Sequence, residues 1–324
     1  MKGMLETVGE RLEIISALPW VDELIDEASD GMLRSAGFEA PTVLVDIEST
    51  NQPFDTIDWE PLTRGAWRSP DAVVMEDVCS SGFDLRLRTS LDGAEFTLRW
   101  RPRLRGRAAA LLLRSRFILL ARAVLLQYPA LWRATIRGRA PLHASAFTAG
   151  DMRPLLAGPG GVGKSTLLTQ ELAAGGQAIC DNICVSDGVM AWGLVEPLRV
   201  ERGTGRSMPF GRAEAPLKGR VASLTPDRLV ALRRGVAEVA QVRPCDAATM
   251  TRSLITGTYM AGELRRFWSF AATLTAGTEL GPSHAPVAMI ARNLALRLPC
   301  VEILLPRQPG VRLAEILDRV ESRV

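Results

Sequence analysis

Lysine is almost missing from this chain. Of its 39 basic residues only Lys2, Lys164 and Lys218 are lysines, the rest being arginine. Guanine-reading proteins need an N/T-K-x-D motif, and the lysine that lies beyond residue 164 stands in "PLKGR", which does not fit. Histidine is as scarce, with only His143 and His284. The five cysteines, Cys79, Cys180, Cys184, Cys245 and Cys300, are odd in number and lack the repeated paired spacing of a zinc site, so the expectation is a reduced, cytoplasmic protein. No long basic run accompanies the net charge of +3, and nothing therefore calls for a nucleic-acid partner. No apolar run is long enough to cross a membrane. The amino terminus "MKGMLETVGERLEII" lacks the core of a signal peptide, and "AAALLLRSRFILLARAVLLQYPALW" is broken by Arg114, Arg116 and Arg122. The latter reads as a buried or partner-covered helix and not a membrane span, a basic helix lying on a membrane surface being the lesser alternative. Internal repeats and low-complexity tracts are absent too, while 47% hydrophobic residues suffice for a sizeable core.

Along the chain, residues 1–40 read as helical with a break near Pro19. The period then changes to two in "PTVLVDIE", "DAVVMEDV" and "FDLRLRTSLDGAEFTLRW", with Asp92-Gly93 as a hairpin signal, giving a small α+β region over 1–103. A second domain is expected over 104–324. It begins with the apolar helix, about 104–128, followed by strands in "PLHASAFTA" and "RPLLAG" joined by a turn at Gly150 and Asp151. Next come a glycine loop, a helix over 165–174, and a strand over 177–180: a β-loop-α-β unit of an α/β sheet. Helices are expected near 226–234, 247–276 and 286–298, then a strand in "CVEILLP" and a terminal helix.

The loop "GPGGVGKS", residues 158–165, satisfies G-x-x-x-x-G-K-[ST], the Walker A pattern. Gly158, Gly160, Gly161, Val162 and Gly163 offer backbone N–H groups to phosphate oxygens, the glycines without a Cβ in the way. Lys164 supplies a cation to the β and γ phosphates, Ser165 a hydroxyl to Mg²⁺, and Thr166 continues into a helix whose positive end faces the anion. The signature of ABC-type ATPases and the DExx box of helicases are absent. Asp181 follows Lys164 by 17 residues and closes the next strand. In a parallel β-α-β unit it reaches the phosphates, where it can hold Mg²⁺ or take a proton from an attacking hydroxyl; taken alone, it also suits a simple turn. His143, 21 residues before Lys164, is either a partner of this site or a satisfied core histidine, and His284 reads as a loop residue.

The run from His143 through "LLAGPGGVGKSTLL" to "GGQAICDN" resembles the catalytic domain of HPr kinase/phosphorylase, and more closely its shorter peptide-modifying relatives, such as kinases associated with lasso peptides. The resemblance implies a P-loop kinase domain with a mixed sheet and an ATP-dependent kinase using Mg²⁺. It implies Lys164 on the β and γ phosphates, Ser165 on Mg²⁺, Asp181 as the base and His143 near the transferred phosphate. Glu201 in "VERGTGR", with Arg202, Gly203 and Gly205, is a loose match to an acidic metal-side residue of the family. Asn182 stands where the family carries a second aspartate, which bears on reverse phosphorolysis and tight metal binding more than on forward transfer. The acceptor implied is a Ser or Thr hydroxyl of a peptide or small protein. A free small molecule, or ATP binding for regulation or assembly without transfer, are the alternatives. Arg199, Arg202, Arg206 and Arg265 are candidates for acceptor anions, and the family leaves room for a homo-oligomer.

Overall fold

The computed structural model describes the chain except residues 36–39, 91–92, 202–204, 209–210, 307–309 and 322–324, and the side chains of 105, 109, 320 and 321. By its contacts the chain divides into two units. One comprises Met1–Gly138, Val195–Ala215 and Arg265–His284; the other comprises Arg139–Leu194, Pro216–Leu264 and Ala285–Val324.

The first unit opens on strands, not on the helix expected over 1–40. Lys2–Thr7 and Glu10–Ser16 pair antiparallel, and only Pro19–Ala28 is helical. Leu5, Leu12 and Ile14 alternate into the core, a period of two that outweighs the helical spacing of the later apolar residues. The two-residue turn at Val8 and Gly9 has positive φ at both positions, 50° and 72°, as a right-twisted hairpin demands. Pro19 starts the helix instead of breaking it, because a first-turn residue has no N–H obligation. An eight-stranded sheet follows the order Lys2–Thr7, Glu10–Ser16, Val43–Glu48, Ala94–Trp100, Phe83–Thr89, Ala72–Met75, Ala66–Arg68 and Glu60–Thr63. The hairpin expected around Asp92 joins two strands of this sheet, although Asp92 itself lies outside the described residues.

The helical stretch from Leu104 runs on to Ile136, past the expected end at 128. It widens to a π turn over Ala123–Gln127, which makes room for Pro129, a residue without an N–H and with a ring that crowds the carbonyl four residues back. Trp132 sets its edge on Phe96 at 5.7 Å between ring centres and Trp20 lies 5.9 Å from Phe117, so this stretch packs on the first unit's sheet and on its helix Pro19–Ala28. The contact division thus passes after 138, not at the expected 103/104. Among the described residues no helix is long and apolar enough to cross a membrane.

The second unit is a mixed α/β domain. Its six-stranded sheet has the order Ala178–Cys180, Ala144–Phe147, Pro154–Ala157, Arg228–Arg234, Cys300–Leu305 and Gln241–Pro244. Pro154–Ala157, Arg228–Arg234 and Cys300–Leu305 are parallel. Ala144–Phe147 lies antiparallel between Pro154–Ala157 and Ala178–Cys180, so those two run the same way without touching. The helix expected over 226–234 is therefore a strand. Leu229 to Leu232 are all buried, as in a central parallel strand covered on both faces, and such a run carries no alternation to betray it. The single helix expected over 247–276 is two, Ala247–Met260 and Arg265–Thr278, which belong to different units. A four-stranded antiparallel sheet, in the order Ser223–Leu224, Ala191–Gly193, Cys184–Ser186 and Ala140–Leu142, completes the unit.

Candidate functional site

Two of the places where the chain passes between these two sheets are His143 and residues 181–183. A strand that changes sheets frees its junction residues from the ladder, and both junctions lie beside the glycine loop. His143 Nε2 stands 3.0 Å from Asn182 Oδ1, and Ser165, in the first turn after the loop, donates its hydroxyl to Asp181 Oδ2 at 2.8 Å.

The loop itself runs from the end of Pro154–Ala157 into the helix Lys164–Ala173. Gly158 and Gly163 are required by the geometry. A Cβ on Gly158 would come within 2.9 Å of the Leu232 carbonyl, and Gly163, at φ 119°, caps the helix with no side-chain hydrogen bond to its first N–H groups. Such a helix end with uncapped N–H groups suits an anion. Val162 is buried and its N–H closes a turn onto the Pro159 carbonyl at 3.3 Å, while Gly160, Gly161 and Thr166 are exposed. Lys164 is buried, with Nζ donating to the Gly158 carbonyl at 2.8 Å and the Pro159 carbonyl at 3.3 Å. Its ammonium thus lies across the loop, where a phosphate would meet it.

Asp181 is held from the neighbouring strand: Ser145 donates its hydroxyl to the Asp181 backbone carbonyl, and the same hydroxyl lies 3.5 Å from Oδ1. Because Ser165 gives its hydrogen to Asp181, the lone pairs of its oxygen are left for a cation. A serine hydroxyl beside a carboxylate fits Mg²⁺, which keeps most of its shell as water and phosphate oxygen. Among the described residues no cluster of three or more His, Cys, Asp or Glu could form an all-protein metal cage.

His143 is neutral at pH 7. Burial pushes its pKa down from 6.5 to about 4, with the Lys164 charge acting in the same direction; Glu263, Asn182 and the Gly257 carbonyl oppose the shift. Its backbone N–H donates to the buried Thr258 hydroxyl at 3.0 Å. His143 Nδ1 and Asn182 Nδ2 are both buried without a hydrogen bond. Turning the Asn182 amide over lets Nδ2 donate to Nε2 and leaves the ring proton on Nδ1.

The structure thus gathers Gly158 to Ser165, Asp181, Asn182 and His143 in the second unit. Glu201 is exposed after the strand Leu198–Val200 of the first unit; Arg202 and Gly203 lie outside the described residues. Arg199 pairs with Glu196 at 3.0 Å and Arg206 with Glu27, while Arg265 is exposed. Sequence reading missed Ser145, Thr258, Glu263 and Arg234. Ser145 carried a faint signal, two residues after His143 on the same side of an extended segment, whereas the others come from segments distant in sequence.

No protein-family model matches the chain, and no curated protein matches it. Among solved structures it is similar to the Hpr(Ser) kinase/phosphatase from Coxiella burnetii, at 14% identity and a TM-score of 0.27, over 56% of this chain and 88% of that one. The similarity to that fold is weak and partial.

Proposed function

We propose that the second unit is an ATP-dependent kinase that transfers the γ-phosphate to a Ser- or Thr-type hydroxyl of a peptide or small protein. The observation that carries this reading is the 2.8 Å hydrogen bond from Ser165 to Asp181, which sets a carboxylate at the foot of a Walker A loop. The loop's N–H groups and the helix end receive the phosphates, and Lys164 swings from its own carbonyls to the β and γ oxygens. Ser165 and Asp181 would hold Mg²⁺, which when bound neutralises phosphate charge. Asp181 takes the proton from the acceptor hydroxyl as its oxygen bonds to phosphorus and the bond to the ADP oxygen breaks. His143, uncharged, adds no repulsion to Lys164 and fixes Asn182, and through it the end of the Asp181 strand.

The test is mass spectrometry of candidate acceptors incubated with the protein, Mg²⁺ and ATP. A phosphate mass gain is expected, and Asp181→Asn lowers its rate on the order of 10²–10⁴-fold. Nucleotide binding with no transfer to any hydroxyl, and no effect of Asp181→Asn, would replace this reading with that of an ATP-binding regulatory module. Asn182, an amide beside the only carboxylate of its junction, is the feature that favours that second reading.

A further inference from the structure

The strand Arg228–Arg234 ends beside the glycine loop, at Arg234. Arg234 is in register with Leu305 of the next parallel strand, and on the other side the loop's own strand pairs with residues 228–231 of the same strand. Its guanidinium donates through Nη2 to the Gly161 carbonyl at 3.0 Å and through Nη1 to the Pro306 carbonyl at 2.8 Å. One side chain therefore links the crest of the glycine loop to the end of the strand Cys300–Leu305.

The loop's two feet are seated differently. Gly158 lies against Leu232, and a Cβ on Gly163 would be 3.2 Å from Leu305 Cδ1, so packing sets both. At the crest, a Cβ on Gly160 or Gly161 would meet no described atom within 4 Å. Packing cannot hold such a crest, but a hydrogen bond can.

We propose that Arg234 is a positioning residue of the nucleotide site. By holding the Gly161 carbonyl on the outside it fixes the peptide plane whose N–H, that of Val162, closes the turn onto Pro159. The crest then keeps one shape before the phosphates arrive, and less ordering is left to the binding step. Arginine suits the task because its planar fork reaches two carbonyls on two segments at once, which the single ammonium of lysine does not do.

The inference rests on the nucleotide-binding reading, and the experiment separates the two. Fluorescent mant-ATP and mant-ADP are titrated into the wild-type protein, Arg234→Met and Arg234→Lys, with thermal melts of each without nucleotide. Wild-type binding is expected. Both variants should bind both nucleotides about tenfold more weakly, by the loss of a charge-assisted bond, with melting unchanged because the side chain is exposed. Full recovery in Arg234→Lys would show that charge alone matters and overturn the bracing role, as would wild-type affinity in Arg234→Met. A drop in melting temperature with affinity intact would make the residue merely structural. No binding by the wild-type protein would instead sink the nucleotide reading itself.

Discussion

The buried charges of the first unit and those beside the glycine loop of the second are held differently. In the first, charges meet their opposites in the interior. Arg122 sets two guanidinium nitrogens on Glu214 at 2.5 and 3.3 Å, and Arg101 holds Asp84. Glu10, fully buried, accepts from the Thr42 hydroxyl at 2.7 Å and lies 3.5 Å from Arg137. In the second unit buried Glu171 also faces a cation, Arg312 at 3.8 Å, but beside the glycine loop Lys164 donates to carbonyls of its own loop and Asp181 accepts from a serine hydroxyl. A closed ion pair is satisfied by folding alone. Groups that meet carbonyls and hydroxyls can exchange those contacts for a ligand's, which is in keeping with the function proposed for the second unit.

The largest test of this contrast is Arg122→Met. It leaves the Glu214 carboxylate buried beside an apolar chain and is expected to destabilise the first unit by about 3–5 kcal/mol, read from denaturant unfolding. Were stability untouched, the pair would not be the structural element described here.

His143 gives the next effect, and it depends on pH. The unfolded chain takes up a proton near pH 6.5 but the folded one only near 4, so between these values the unfolded state binds more protons. The stability contribution is complete above pH 6.5 and is lost as pH falls toward 4, by about 3 kcal/mol in all. Unfolding curves of wild type and His143→Gln across this window should therefore differ by an amount that changes with pH. A constant difference would mean that His143 is not held neutral.

The smallest expected change in free energy is that of Lys164→Met. The apolar stem is kept and the charge removed, so melting should be little altered while mant-ATP affinity falls roughly 10–100-fold. If melting fell as far as it does for Arg122→Met, the contrast between the units would fail.

Much of the site was legible in the chain because its chemistry is local. The residues from 158 to 165 are contiguous, and a glycine loop between an apolar strand and a helix admits few shapes. Asp181 also came within reach of reasoning, since strands that run the same way end at the same edge of a sheet. That held although Ala144–Phe147 intervenes between them. Arg234 was illegible for a physical reason. Its strand is buried on both faces, so the run before it has no period to distinguish strand from helix. The opening hairpin shows a different failure, in which a helical spacing farther along masked the alternation around Val8 and Gly9.

By itself the sequence determined the loop, its lysine and serine, and the interval to an aspartate, because backbone geometry over a few residues follows from which of them lack a Cβ or carry a charge. The tertiary structure decided what depends on pairing across the chain. It brought His143 and Asn182 together where two strands change sheets, gave Asp181 to Ser165 and Ser145, and set Arg234 at the loop crest. Those contacts join segments up to 115 residues apart, as with His143 and Thr258. No local pattern encodes them, since sheet order arises from the burial of whole strands and not from the residues that end up touching.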